Sequence, residues 1–562
     1  MGDMDVWGSR RFRVRGAIAL AGVAAVAIAM GSCGFRERAT GAEAVVERFA
    51  TLLDKKDYDG ASRLTSYPAG ASATLKQVFE GLDPGKPDCR MTQYIGLDGT
   101  TGLFSMTGAW NFGEKRDWKY DLQGTVRKLS VGWRISWDPA LVMPQLDAKR
   151  SAKLVRTSAT PSPRVNDIVG QPLMTEQTIN VVKLDPAKIT DPVASTNALA
   201  TAIAPVAPLI DGPALMQQLS ASQGKPIVAV NLRDGDFNIL EPRMAPIPGV
   251  VLEKQPKLIS ADRRIWSPML DALTKVWLDN RDQHSGWGVQ LFEPDGKFVT
   301  QLAGEQGPPG PDIPSTMDQR LQRAAEDAVV STGSPTSIVA IQPSSGALVA
   351  VAQNSQASER GNIAFTGQYP VGGMIELFKN VAAVTKHKAP QDVSVGDAAD
   401  AASLLGIGID FKVPGLDETT GRLPTGKNAA ENVGRGNAAD SLLASPWGMA
   451  IAAAAIANGQ VPKPMITIGQ PATVEADLAA LPGEATDRLR AMLRDGVGAP
   501  ELAALNRYRD VQAFGATTGN SGWLIATMGD LAFAIHIDDP DSGDLTARVA
   551  ARLLQSLASP GD

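Results

Sequence analysis

The chain has 562 residues, of which 44% are hydrophobic and 20% charged, proportions that fit about three or four globular domains and exclude a disordered or fibrous protein. Its net charge of −6 lacks the basic excess that nucleic-acid binding draws on, so no nucleic-acid partner is expected. The histidines, His284, His387 and His536, lie far apart with no cysteine beside them; no zinc-ligand spacing occurs, and neither a metal nor a cofactor is expected.

In chain order, the N-terminus comes first. Arg10, Arg11, Arg13 and Arg15 precede an apolar run from Ala17 to Met30, which ends in Gly31, Ser32 and Cys33. The run is short for a membrane span of about 20 residues and suits the apolar region of a secretory signal. Met30-Gly31-Ser32-Cys33 resembles a bacterial lipobox, in which small residues admit the signal peptidase and the thiol receives the lipid. Residues 1–33 are therefore expected to be a signal peptide with lipobox and Cys33 the lipidation site. That places the mature chain on the extracytoplasmic face of the bacterial cell membrane, lipid-anchored; the alternative is a single uncleaved N-terminal anchor. Ser9-Arg10-Arg11-Phe12 loosely resembles a twin-arginine export signal. Cys89, the one other cysteine, is left unpaired and is expected to be a small buried apolar residue.

Val45, Val46, Phe49, Leu52 and Leu53 share one helical face. Three alternating segments follow, 102–112, 118–128 and 129–137, each predicting a strand. A helix followed by a curled antiparallel sheet predicts an α+β cone. Trp133 to Pro139, with Pro144 and Leu146, closes it. Residues from about 165 to 310 are punctuated by proline and glycine, and Gly307-Pro308-Pro309-Gly310-Pro311 marks a boundary. Ser315 and Asp318 ahead of helix formers predict a capped helix. A hairpin of 337–341 and 347–352, a strand over 531–538 and a terminal helix bearing Leu545, Val549, Leu553 and Leu557 complete the chain.

These segments resemble a known family. The first closes like the NTF2-like N-terminal domain of one branch of class B penicillin-binding proteins. Pro163 to Leu173 is a worn copy of the segment that opens their dimerisation, or pedestal, domain, and Pro248 to Leu252 resembles a strand of it. Residues 315–326 closely resemble the opening of the transpeptidase domain. Asn432 to Gly436 resembles a turn of that domain, and Ala444 to Ala450 a helix start. The resemblance implies an α+β multidomain fold: an NTF2-like cone at 41–156, a pedestal at 157–310, and at 311–562 a penicillin-binding (transpeptidase, β-lactamase-like) domain whose antiparallel sheet is flanked by helices.

The family's chemistry needs a serine three residues before a lysine, so that one helical turn sets the amine beside the hydroxyl it activates. It also needs a Ser-x-Asn and a Lys-Thr-Gly. Asn362, Gly367, Tyr369, Pro370 and Gly372 fix the register of the first motif, which puts Gly373 at the nucleophile position and Glu376 at the lysine position. The lone Ser-x-x-Lys, Ser222 to Lys225, lies outside the domain and matches chance expectation. The region of the second motif has shrunk to about Pro390–Asp400, where Ser394-Val395-Gly396 is the nearest remnant, ahead of a Leu405-Gly406-Ile407-Gly408 turn. The third reads Thr517-Thr518-Gly519, with threonine for lysine, and no lysine follows Lys463. Position 373 is also expected to have relaxed into a backbone that only glycine adopts.

The resemblance thus implies an exported protein of peptidoglycan synthesis, not expected to catalyse, that acts as a binding, scaffold or regulatory partner. Its expected partners are the peptidoglycan stem peptide or other cell-wall synthesis proteins and the membrane through its lipid, with homo- or hetero-oligomers possible. Two alternatives stand: an active D,D-transpeptidase or carboxypeptidase with a non-standard nucleophile among Thr366, Ser394 and Thr517, and a non-acylating sensor of β-lactams or stem peptides.

Overall fold

The computed structural model describes residues 41–158, 161–423 and 442–558; Cys33 with the signal segment, and the Asn432–Gly436 turn, lie outside them. Among the described residues no helix is long and apolar enough to cross a membrane. The chain divides into two compact units, one of residues up to 154 with 289–302, the other of 155–288 with 303 onward.

In the first unit, α1 (Gly41–Asp54), α2 (Tyr58–Ser62) and α3 (Pro68–Gly81) precede β1 (Lys86–Gly96), β2 (Thr101–Asn111), β3 (Asp117–Leu129) and β4 (Gly132–Ile135). The strands form an antiparallel sheet in chain order. Helix α1 buries Val46, Phe49 and Leu53, the face expected from the sequence. Strand β2 alternates, burying Phe104, Met106 and Trp110 on one face, the period-2 pattern of a sheet covered on one side. Tyr120 ties the sheet to the closing segment: it accepts from Trp110 Nε1 at 3.1 Å and donates to the Val142 carbonyl at 2.8 Å. Cys89 is buried and free, and burial pushes its thiol up to about 12, which leaves it unreactive. Two further helices and β1 go beyond the single helix and three strands expected. β5 (Ser151–Thr157) leads out of this unit.

The second unit begins with β6 (Val165–Asn166), β7 (Pro172–Leu184), α4 (Pro192–Ile203), α5 (Gly212–Ala221), β8 (Ile227–Arg233), α6 (Asp234–Met244), β9 (Val250–Ser260) and α7 (Met269–Gln283). β10 (Gly286–Phe292) and β11 (Phe298–Glu305), most of whose residues belong to the first unit, come next in the chain, and β12 (Ile313–Pro314) resumes the second. β7 is the centre of a sheet ordered β12-β6-β7-β8, with β9 also paired to it. Asp191 and Asp211 cap α4 and α5 by accepting from backbone N–H groups, and an apolar cluster including Leu199, Leu215, Phe237 and Leu240 fills the space under the helices.

The rest comprises α8 (Gln319–Val329), β13 (Thr336–Ile341), β14 (Leu348–Gln353), α9 (Ser355–Ser358), α10 (Ile363–Thr366), β15 (Tyr369–Pro370), α11 (Ile375–Thr385) and α12 (Val395–Ala402). Then come β16 (Gly421–Arg422), β17 (Leu443–Ala444), α13 (Pro446–Asn458), α14 (Gly483–Gly496), β18 (Gln512–Thr518), β19 (Ser521–Met528), β20 (Leu531–Asp538) and α15 (Leu545–Ala558). The main sheet is ordered β14-β13-β20-β19-β18, with every described pairing antiparallel. β13 and β14 are buried throughout, as strands covered on both faces must be. Ile338 and Ala340 join the cluster around α8 and α15, while Val339 and Ile341 join the cluster around α13. α13 is apolar all round, Trp447 to Ile456 being buried. Asp318 caps α8 by accepting from Arg320 and Leu321 N–H, and Ser445 caps α13 from Gly448 N–H; Ser315 instead forms a bridge with Thr467. At the Leu405–Gly408 turn, Gly406 adopts φ +92°, which a side chain would strain.

The boundary expected at residue 310 lies inside the second unit. The cause is a single core: one apolar cluster joins Met269, Leu273 and Trp277 of α7 to Ile313, Val339 and Leu348.

Candidate active-site remnant

Tyr369 and Pro370 are held by β15, which pairs with β17. The chain then turns through Gly372, at φ +50°, into a short 3-10 turn, Gly372–Met374, that runs on into α11. Gly373 is thus at a helix start beside β18, and its N–H donates to Thr518 Oγ1 at 3.1 Å. The left-handed backbone expected at Gly373 is found at its neighbour Gly372 instead. What excludes a side chain at 373 is space. A Cβ built there would lie 2.7 Å from Ala516 Cβ and 3.6 Å from Thr518 Oγ1. β18 thus packs directly against the helix start.

Glu376 is in the first turn of α11 and accepts from Lys379 Nζ at 2.8 Å. A carboxylate there meets the positive end of the helix dipole but has no proton-accepting amine to offer a nucleophile. Thr517 and Thr518 are exposed at the end of β18, and Gly519 opens the turn that follows. So Gly373 and Thr518 meet, while Thr517 Oγ1 turns to the Gly543 carbonyl at 3.4 Å and the Glu376 carboxylate is held by Lys379.

The other hydroxyls expected near the site are engaged. Thr366 donates to the Asn362 carbonyl at 3.0 Å. Ser394 caps α12 in a reciprocal capping box with Asp397, to whose carboxylate it donates at 2.7 Å. Neither bonds to a basic group. Ser222 is the C-cap of α5 and donates to the Leu219 carbonyl at 2.7 Å, far along the chain from the remnant.

One pair was not expected. Ser521 Oγ lies 3.0 Å from His536 Nε2, and Tyr369 stacks on the imidazole with ring centroids 3.8 Å apart. The β19–β20 register sets Trp523 opposite His536, and Trp523 Nε1 donates to the Pro370 carbonyl at 2.9 Å. A hairpin drawn about Gly529-Asp530 would have put serine and histidine close together. A serine–histidine pair invites comparison with a nucleophile and base, but three facts oppose that. His536 is fully buried, burial drives its pKa down to about 3, and its Nδ1 has no partner to orient it among the described residues. The pair is a brace that fixes the Tyr369–Pro370 segment.

Residues 41–150 match a family model, that of the NTF2-like N-terminal transpeptidase domain. No curated protein matches the chain. The first unit thus carries a domain of the kind that precedes transpeptidases, and this is what ties the chain to penicillin-binding-like proteins of the cell wall.

Proposed function

We propose that this is an exported, lipid-anchored, penicillin-binding-like protein that does not transfer peptides and acts in cell-wall synthesis by binding. Its partners would be stem peptides or other proteins of that synthesis, met at the outer face of the membrane. The observation that carries the reading is the closed remnant. A nucleophile needs an open position for its side chain and a base within about 3 Å. At Gly373 the position is occupied by Ala516, and Glu376, at the lysine position, already holds Lys379. Retaining the five-stranded sheet with its apolar flanks while losing the reactive groups fits a surface kept for recognition.

The test is a labelling gel with a fluorescent penicillin on the full chain, with mass spectrometry of the mature N-terminus alongside. No covalent adduct and a diacylated Cys33 are expected. Prompt, active-site-directed labelling refutes the loss of chemistry, and an unmodified Cys33 refutes the anchor.

A further inference from the structure

At one end of the first unit's sheet, two hairpin tips lie together: residues 97–100 join β1 to β2, and Ser130 and Val131 join β3 to β4. Lys128 N–H donates to the Thr100 carbonyl at 2.8 Å, tying one tip to the other. Leu97 is 58% and Val131 67% exposed, and Ile95, Leu103 and Leu129 are exposed behind them. The turn at the opposite end, Gly113-Glu114-Lys115-Arg116, exposes no apolar side chain. An apolar patch confined to one end marks a surface that is covered in use. The same end is basic. Arg127 and Arg134 stand directly opposite each other across β3 and β4, where like charges repel. Neither has an ion pair among the described residues; Arg134 donates to the Trp133 carbonyl at 2.8 Å. Lys128 adds to them. The acids of this end are Glu43 of α1 and Asp98, whose carboxylate accepts from Thr100 and Thr101 N–H.

Helix α1 fixes which way this end faces. A Cβ on Gly41, its first residue, would lie 3.3 Å from Trp133 Cδ1, beside the β3–β4 tip. Its last residue, Asp54, accepts from Cys89 N–H at 2.5 Å, near the far end of β1. The chain therefore enters the unit at the end that carries the two tips. Seven residues, 34–40, separate Gly41 from Cys33, a reach of at most about 25–30 Å. We propose that the tips dock on the bilayer, with Leu97 and Val131 entering the acyl boundary and Arg127, Lys128 and Arg134 meeting anionic lipid headgroups. This rests on the anchored reading above, and it holds for a lipid on Cys33 and for an uncleaved anchor ending at Met30 alike. A short tether keeps the tips concentrated beside the membrane, so contacts too weak to hold a free protein suffice.

The experiment reconstitutes the full chain, extracted from membranes, into vesicles of phosphatidylethanolamine with phosphatidylglycerol. An environment-sensitive maleimide dye is carried at Val131→Cys or, in the opposite turn, at Glu114→Cys. Cys89 is buried with its thiol raised and stays unlabelled; peptide mapping shows whether Cys33 takes dye, as an unlipidated thiol would. At 131 the emission should shift to the blue and be quenched by spin-labelled lipid, and at 114 it should do neither. Arg127→Ser with Arg134→Ser, or a change to neutral phosphatidylcholine vesicles, should lower the ratio of docked to undocked dye about tenfold. A chain that floats with the vesicles yet keeps a water-like dye at 131 overturns the docking alone and leaves the tips to a protein partner. Equal quenching at 131 and 114 overturns it too. Dye on Cys33 with selective quenching at 131 removes the lipid and upholds the docking, whereas a chain that does not float overturns docking and anchor together.

Discussion

Adding one methyl group at Gly373 tests the closed remnant directly. In Gly373→Ala the new Cβ meets Ala516 Cβ at 2.7 Å, about 1 Å inside the optimal carbon–carbon separation. Neither carbon can rotate away, because each is fixed to its backbone. β18 must therefore move off the helix start, which also loosens the 3.1 Å bond from Gly373 N–H to Thr518 Oγ1. Overpacking of this kind costs about 1–3 kcal/mol. The smaller entropy of the unfolded alanine chain returns about 0.4–1 kcal/mol, for a net loss near 1–2 kcal/mol. For a unit of this size that lowers the melting temperature by about 1–2 °C per kcal/mol. Ala516→Gly removes the opposing methyl, so a double-mutant cycle should show the pair costing about 1 kcal/mol less than the sum of the two single changes. Thermal melts followed by tryptophan fluorescence give all four values. Chemistry is tested in the same background: Gly373→Ser with Glu376→Lys should form no stable adduct with labelled penicillin, because groups that act as a unit recover little when restored piecemeal. A Gly373→Ala protein as stable as the parent, with no coupling to Ala516, refutes the steric argument; rapid acylation of the serine variant refutes the claim that the cleft is closed.

His536 should dominate one limb of the acid response. Its pKa is pushed by burial down to about 3, against about 6.5 unfolded, so between those values only the unfolded chain takes up the proton. Its contribution is complete above pH 6.5 and is lost as pH falls, by about 2 kcal/mol between pH 7 and 5; urea midpoints at the two pH values should draw together in His536→Phe, and an unchanged gap counts against the assignment. Glu418 has the opposite sense. Burial raises its carboxyl to about 7 despite bonds from Phe411 N–H and from Trp447 Nε1 at 2.6 Å, so the native state holds a proton between about 4.5 and 7 and stability declines as pH rises through that window. Trp447 emission should titrate near pH 7 in the parent and lose that transition in Glu418→Gln; persistence of the transition would place the titrating group elsewhere.

Much of the second unit was legible because local chemistry and burial agree there. Asp318 and Ser445 are cap residues in the sequence and caps in the structure, and the runs at 337–341, apolar after Ser337, and at 347–352 are strands covered on both faces. β1 was hidden because of its eleven residues only Cys89 is buried, so no alternation marks it. The seam expected at residue 310 was read from breaker residues, which mark where the chain turns; the apolar cluster that packs across it is set by contacts between distant elements, which no local signal reports. At the remnant, register could be read from Tyr369, Pro370 and Gly372, and the meeting of positions 373 and 518 followed. What closes it could not be read: Ala516 is an ordinary strand alanine in sequence, and only the approach of β18 to the helix start gives its methyl a role. The Ser521–His536 pair was hidden for a related reason, being fifteen positions apart and joined only by hairpin pairing.

The core shared across residue 310 makes the second unit a stiff lever. Trp266 N–H is tied to Glu326 of α8 at 2.7 Å, and Ser267 Oγ to the Val351 carbonyl of β14 at 2.6 Å. Both anchors stand at the head of α7, whose Met269, Leu273 and Trp277 are embedded in the common apolar mass. A load applied to α7 has no slack linker in which to dissipate. It passes within one helical turn to α8 and to the edge strand of the main sheet, so tension or tilt imposed at one end of this unit arrives at the other as strain.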